Sequence, residues 1–323
     1  MVLDVRRIAF HGQTGDDRSP EDFAFPAAMT SMMEYLGEDI GLEVIEAHGR
    51  SYTRRRANND FVAASGIGFA LLWDDGLCPS AQDLLQAAPY EKGMENAFAW
   101  AGWTVDRVSG DDMKQAAVRA ISAGKPFIAL GLTDVPEAAL ICGCDETGDV
   151  LYGWSHFQNG MRTIENGMFA ASGWMEKAWE LVIPGERTGK RMDARSVIGE
   201  GVRIMEQEAV GGYKAGNAAY EAWISAIERS EGGNPALYEY HHAILFNFAE
   251  ARCWCGAFLL AHGIEAGKHF LTIHDLCWKA DAAVRNAAET ADAAKKAELI
   301  AILRAIQGED QAALLALKES LRR

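Results

Sequence analysis

Positive charge is what this sequence has too little of. Its 323 residues carry 31 lysines and arginines against 46 aspartates and glutamates, a formal net charge of −15. Nucleic acids and anionic membranes are bound through cationic surfaces, so neither is expected as a main partner. The one basic run, Arg54-Arg55-Arg56, is too short to reverse the balance and reads as a solvated loop. Long apolar runs are also missing. The longest, such as Ala257–Ala261, suit a core helix and fall well short of the roughly 20 apolar residues of a membrane span. The opening MVLDVRRIAFHG lacks the apolar stretch of a signal peptide. Cysteine is sparse: Cys78, Cys142, Cys144, Cys253, Cys255 and Cys277. Reduced thiols in the cytoplasm fit this count better than a disulfide framework. There is no Cys-x-x-Cys pair, HExxH, phosphate-binding glycine loop or dinucleotide fingerprint, so neither metal nor cofactor is expected.

What is present is an ordinary globular composition, 49% hydrophobic and 24% charged, in a chain long enough for two domains. The first half mixes element types. Asp22–Leu36 has Phe25, Met29, Met32, Met33 and Leu36 at helical spacing on one face, Glu21, Asp22 and Pro26 at its start and Gly37 at its end. Residues 50–60 read as a loop, and 65–73 as a glycine-punctuated strand. Asp111–Ala123 predicts a helix and Phe127–Leu132 a strand. Pro136–Phe157 then predicts two apolar strands joined by the polar turn Asp145-Glu146-Thr147-Gly148-Asp149. Pro184–Asp193 reads as a connector. From Ala194 onward the periodicity is helical only, over about 196–210, 214–229, 236–262, 266–288 and 292–321, with breaks at Gly211-Gly212, Gly232–Pro235, Gly263 and Gly308. The expected architecture is therefore α+β over 1–185, with a mainly antiparallel sheet, followed by an all-α helical bundle over 194–323.

Two stretches of the first half resemble a known family. PAAMTSMMEYLG (Pro26–Gly37) is similar to a nucleophile helix opened by Cys-Gly-Pro, and EAALICGCDETGDVLYGW (Glu137–Trp154) is similar to a hairpin that starts with the catalytic histidine. Both belong to the papain-like cysteine peptidase superfamily, in its C39-peptidase-like branch. The order of a mixed domain and a helical one also resembles the butirosin-biosynthesis acyltransferase. The resemblance implies a papain-like fold for about residues 8–185. In such a site a thiol at a helix N-terminus ionises readily, and a histidine on a neighbouring strand takes its proton. Carried over, the nucleophile position falls on Ala24 and the base position on Glu137. Gln13 matches the oxyanion-hole glutamine, with His11 in the same loop. Trp154 and Ser155 stand where an Asp or Asn would orient the histidine, and His156 follows at the rim.

The other candidates are weaker. Strand alternation puts Glu137, Ala139, Ile141 and Gly143 on one face and Cys142 and Cys144 on the other, away from the site. Cys78 has no histidine near it in sequence. Cys253-Trp254-Cys255 makes a poor chelate on a helix, and Glu239, His241 and His242 on one helix with His269 and His274 on the next read as separate side chains rather than a metal site. The expected function is a papain-fold protein without the Cys–His dyad that binds a peptide or small amide-bearing ligand near His11, Gln13, Ala24, Glu137, Trp154 and His156. Two alternatives stand beside it: an active acyltransferase or amide hydrolase using other residues, and an assembly protein forming a homodimer through its bundle.

Overall fold

The computed structural model describes residues 1–10, 20–47, 50–77, 92–133, 137–158, 161–230, 235–290 and 293–323. The chain is mixed α and β and divides into two compact units, Met1–Ser65 with Gln86–Met192 and Gly66–Leu85 with Asp193–Arg323. The second unit thus takes in a stretch that the sequence places in the first domain.

The strands in chain order are β1 (Leu42–Ala47), β2 (Arg50–Arg55), β3 (Leu72–Trp73, in the second unit), β4 (Trp103–Val108), β5 (Phe127–Leu130), β6 (Ala138–Cys144), β7 (Val150–Trp154), β8 (Arg162–Thr163), β9 (Phe169–Ser172) and β10 (Glu180–Arg187). The first unit is built on a seven-stranded antiparallel sheet ordered β4-β10-β5-β6-β7-β9-β8. Its helices are α1 (Ala24–Tyr35), α2 (Arg56–Ala64), α3 (Gly93–Ala101) and α4 (Met113–Ser122). Helix α4 covers one face of the sheet, where its Met113, Ala117 and Ile121 share a core with Phe127, Ala129, Ala139, Ile141 and Leu181. Helix α1 lies against β5 and β6 and contributes nothing to that core, so it takes the opposite face.

Helix α1 differs from the expected amphipathic element. Every residue from Ala24 to Met33 is buried. The small side chains Ala27, Ala28, Thr30 and Ser31 let neighbours close in on the side that a surface helix would leave wet, and the Thr30 hydroxyl bonds back to the Pro26 carbonyl at 2.8 Å. The helix does end at Gly37. With φ of +83°, Gly37 lets its own N–H reach the Glu34 carbonyl and the Glu38 N–H reach that of Met33, the paired bonds of a Schellman turn.

The basic run is not a loop. Arg54 and Arg55 end β2 and Arg56 opens α2. Arg54 faces its cross-strand partner Glu43 at 2.8 Å. Arg55 is buried, ion-paired with Glu21 and with Glu34 (2.8 Å), and donates to Ser31 Oγ at 3.0 Å. Glu21 therefore serves a buried ion pair rather than the helix dipole. The connector is also more ordered than expected. Strand β10 runs through Pro184 and Gly185 across a bulge, and the Lys125 ammonium binds both of their carbonyls, at 3.0 and 2.6 Å. Beyond it Arg187 and Arg191 close on the buried carboxylate of Glu38, which also accepts from Trp103 Nε1 at 3.0 Å.

In the second unit come α5 (Ala194–Met205), the short strands β11 (Ala209–Val210) and β12 (Tyr213–Ala215), then α6 (Gly216–Arg229), α7 (Pro235–Ala261), α8 (Gly267–Thr290) and α9 (Ala293–Arg322). Asp193 caps α5 through the Ser196 N–H at 2.7 Å. Helix α7 packs on α8 and α8 on α9. The double glycine Gly211-Gly212 turns a small hairpin whose second strand pairs with β3. Trp73 of β3 thereby joins Trp223, Tyr240, Ile244, Phe248 and Ile273 in the helical core. Helix α9 passes through Gly308 without a break, because Ile306, Ala313 and Leu317 on either side are buried and hold it. Helix α7 corrects a second expectation. Scattered polar residues hide its apolarity in the sequence, yet Ala236–Ala261 is long and apolar enough to cross a membrane by length and composition, with 61% of its most apolar window buried in this structure.

At the centre of this unit Arg252 of α7 is fully buried. It binds Asp310 of α9 through Nε (3.1 Å) and Nη2 (2.9 Å), donates to the Gly68 and Phe69 carbonyls, and lies between the rings of Phe248 and Phe270, 4.3 and 4.9 Å from their centroids.

Candidate functional site

The residues matched to the peptidase family fall in the first unit. Ala24 is the first residue of α1, on the sheet face opposite α4, and is completely buried, so it does not face Glu137 across a groove as the resemblance implied. Glu137 immediately precedes β6, and its carbonyl accepts the Gly131 N–H at 3.0 Å, so it prolongs the β5–β6 ladder. Its side chain is completely buried as well. One carboxylate oxygen accepts from the Thr133 hydroxyl at 3.1 Å and from the Ser155 hydroxyl. Ser155 in turn accepts the Phe157 N–H at 3.0 Å, and Gln158 receives the Ser155 N–H at 3.2 Å while holding the Gly167 carbonyl at 2.9 Å. The hairpin thus has a fixed polar end in which Glu137 and Ser155, two positions singled out from the sequence, are partners.

The pleat decides what else can join them. Glu137 is in phase with Ala139 and Ile141, whose side chains belong to the core under α4. Leu140 pairs with Trp154, in the opposite phase. Trp154 and Glu137 therefore project from opposite faces of the sheet, and the expected set does not line one cleft. His156 is half-buried, edge-on to Phe10 (5.1 Å) and Phe157 (5.0 Å). His11, Gln13 and Cys78 lie outside the described residues.

The two hairpin cysteines correct the alternation argument. The register between β6 and β7 slips between Ile141 and Gly143, which leaves Cys142 as the extra residue of a β-bulge. The bulge reverses the phase, so Cys144 joins Ala139 and Ile141 under α4 and does not share a face with Cys142. Cys142 packs its sulfur on the Met168 sulfur at 3.4 Å, and burial pushes its thiol up to about 12. Burial also raises Cys144, Cys255 and Cys277. No thiolate is favoured at any of these four.

Trp154 does border open space. A surface cavity of about 440 Å³ is lined by Val2–Arg7, Trp154, Asn166 and Met168. Its shape depends on the turn between β8 and β9, where Asn166 (φ 59°) and Gly167 (φ 72°) take the two left-handed positions of a type I′ turn. The Asn-Gly pair is the sequence signal that would have found this turn. A second cavity of about 690 Å³ is lined by residues that include Asp111, Lys114, Arg119 and Glu146.

In the second unit the histidines have separate partners, and of the expected core histidine on each helix only His241 is buried, His269 and His274 both being half-buried. His242 faces Asp281 at 2.5 Å, His269 faces Glu309 at 2.7 Å and His274 faces Asp275 at 3.1 Å. His241 is buried, with Nδ1 accepting from Trp223 Nε1 at 2.7 Å, and desolvation pulls it down to about 3. Among the described residues no group of three or more His, Cys, Asp or Glu side chains is placed to hold a metal ion.

No family model matches this chain, and no curated protein sequence matches it. The class supported by the coordinates is a mixed α+β protein with an antiparallel sheet and a helical second unit.

Proposed function

We propose that this chain is a catalytically silent relative of the papain-like peptidases that binds a peptide or small amide-bearing ligand and does not cleave it. One observation carries the reading. The positions matched to nucleophile and base hold Ala24 and Glu137, both wholly out of contact with solvent and on opposite faces of the sheet, so they form no dyad, while Trp154 on the same hairpin borders an open cavity. Alanine supplies no nucleophile. A carboxylate held by two hydroxyl donors is stabilised as a structural acceptor, not presented to a substrate. The site proposed for this binding is the cavity lined by Val2–Arg7, Trp154, Asn166 and Met168.

Two measurements test this. Brief iodoacetamide treatment followed by intact-mass analysis should find no thiol that reacts faster than a cysteine in the denatured chain. A single hyper-reactive cysteine would return the protein to the enzymes. Titration with N-acetylleucinamide should give saturable binding that Trp154→Ala weakens. Binding unaffected by that substitution would refute the assignment to this cavity.

A further inference from the structure

One buried carboxylate holds the end of the first unit in place. Glu38 lies just past α1, with its side chain 5% exposed. Its Oε1 takes Arg187 Nε at 2.9 Å and Trp103 Nε1 at 3.0 Å, and its Oε2 takes Arg191 Nη2 at 2.5 Å. The two arginines come from the water side, 62% and 53% exposed, and every residue from 186 to 191 is exposed with them. Between these anchors the chain lies on the C-terminal end of α3. The Thr188 N–H and hydroxyl donate to the Gly102 carbonyl at 2.8 and 3.0 Å, and the Met192 N–H donates to the Ala99 carbonyl at 2.8 Å. With no buried side chain from 188 to 191, apolar burial contributes little to holding this stretch.

We infer that residues 188–192 form a strap and that the charge of Glu38 is its latch. While the carboxylate is charged, charge-assisted bonds to Arg187 and Arg191 fasten the strap near both ends, and each is about twice as strong as a neutral bond. Without that charge, what remains is a few bonds of exposed backbone, whose net worth against water is small. The strap then opens as a unit while β10 stays in its sheet. Closed, only Asp193 separates the strap from α5. Open, residues 188–193 become free chain, about 20 Å long when extended. The charge on one residue thereby sets the slack in the chain ahead of α5.

Hydrogen exchange of the full chain, followed by mass spectrometry on peptides covering 186–193, tests the latch. Glu38→Gln keeps the side-chain shape and removes the charge. The expected result is exchange of these peptides at least about tenfold faster than in the wild type, the worth of one charge-assisted bond, with peptides from β5 and α4 unchanged. Arg191→Gln should give a smaller increase, because Arg187 still holds the carboxylate. Brief trypsin treatment gives a second readout, in which cleavage after Lys190 or Arg191 appears earlier in Glu38→Gln. Wild-type exchange and cleavage rates in that variant would overturn the latch. Equal acceleration in the peptides from β5 and α4 would overturn it as well, since Glu38 would then support the whole unit and not the strap.

Discussion

Acid should destabilise the helical unit through one residue, His241. Its ring is buried, with Trp73, Trp223 and Tyr238 within about 6 Å (6.2, 5.7 and 6.1 Å between centroids), and Nδ1 accepts the Trp223 indole N–H. Desolvation is the main reason it resists charging. The indole donor adds to this, because a proton placed on Nδ1 would face another proton. The group titrates at about 3 in the fold, against about 6.5 for an unfolded histidine. A base depressed by folding adds no pH dependence above pH 6.5. Below that, stability is lost until the folded value is reached, since the unfolded chain binds the extra proton. The slope is about 1.4 kcal/mol per pH unit, so about 2 kcal/mol is gone at pH 5. That is a large share of the 5–15 kcal/mol typical of a domain. Urea unfolding of the wild type and of His241→Asn, which keeps an acceptor for the indole, tests the argument. The variant starts less stable at pH 7.5, and the gap should close by about 2 kcal/mol at pH 5. His242, paired with Asp281, is present in both proteins and cancels. Parallel stability profiles would refute the reasoning.

Three further outcomes follow from contacts described above. Arg252→Ala should cost about 3–5 kcal/mol by stranding Asp310, and pairing Arg252→Met with Asp310→Leu should recover most of it, both read from urea midpoints. Gly153→Ala should cost about 1–3 kcal/mol in the same assay, because the added methyl would run into the Leu140 carbonyl at the bulge. Glu137→Leu should destabilise by about 1–3 kcal/mol by leaving the Ser155 and Thr133 hydroxyls without their acceptor, while Glu137→Gln, which keeps an oxygen there, should lose less.

Much of the fold was legible from periodicity. The hairpin around Asp145–Asp149, helix α1 and the five C-terminal helices follow from spacing that side-chain burial enforces, but the expected helical runs 196–210 and 214–229 also took in the strands Ala209–Val210 and Tyr213–Ala215, so the second unit is not all-α. What was not legible depends on partners distant in sequence. Arg55 looks solvated until Glu21 and Glu34 are placed beside it, 34 and 21 residues away. Trp73 reads as part of the first domain until β12 pairs with its strand. The two hairpin cysteines were assigned to one face because a bulge leaves no mark in a single strand, and only the register with Gly153 reveals it. At the candidate site Glu137 and Ser155 were visible as positions, and their mutual bond was not.

The helical unit is discontinuous in the sequence. A fragment beginning at residue 193 would inherit five helices and leave Trp73, half of the stacked pair with Trp223, on the other piece. It would also leave Arg252 without the Gly68 and Phe69 carbonyls that complete its surroundings. The C-terminal helices are therefore not a cassette that recombination could transplant alone. Any rearrangement that keeps them folded has to carry the strand at Leu72–Trp73 as well, which binds the two parts of the coding sequence to a common inheritance.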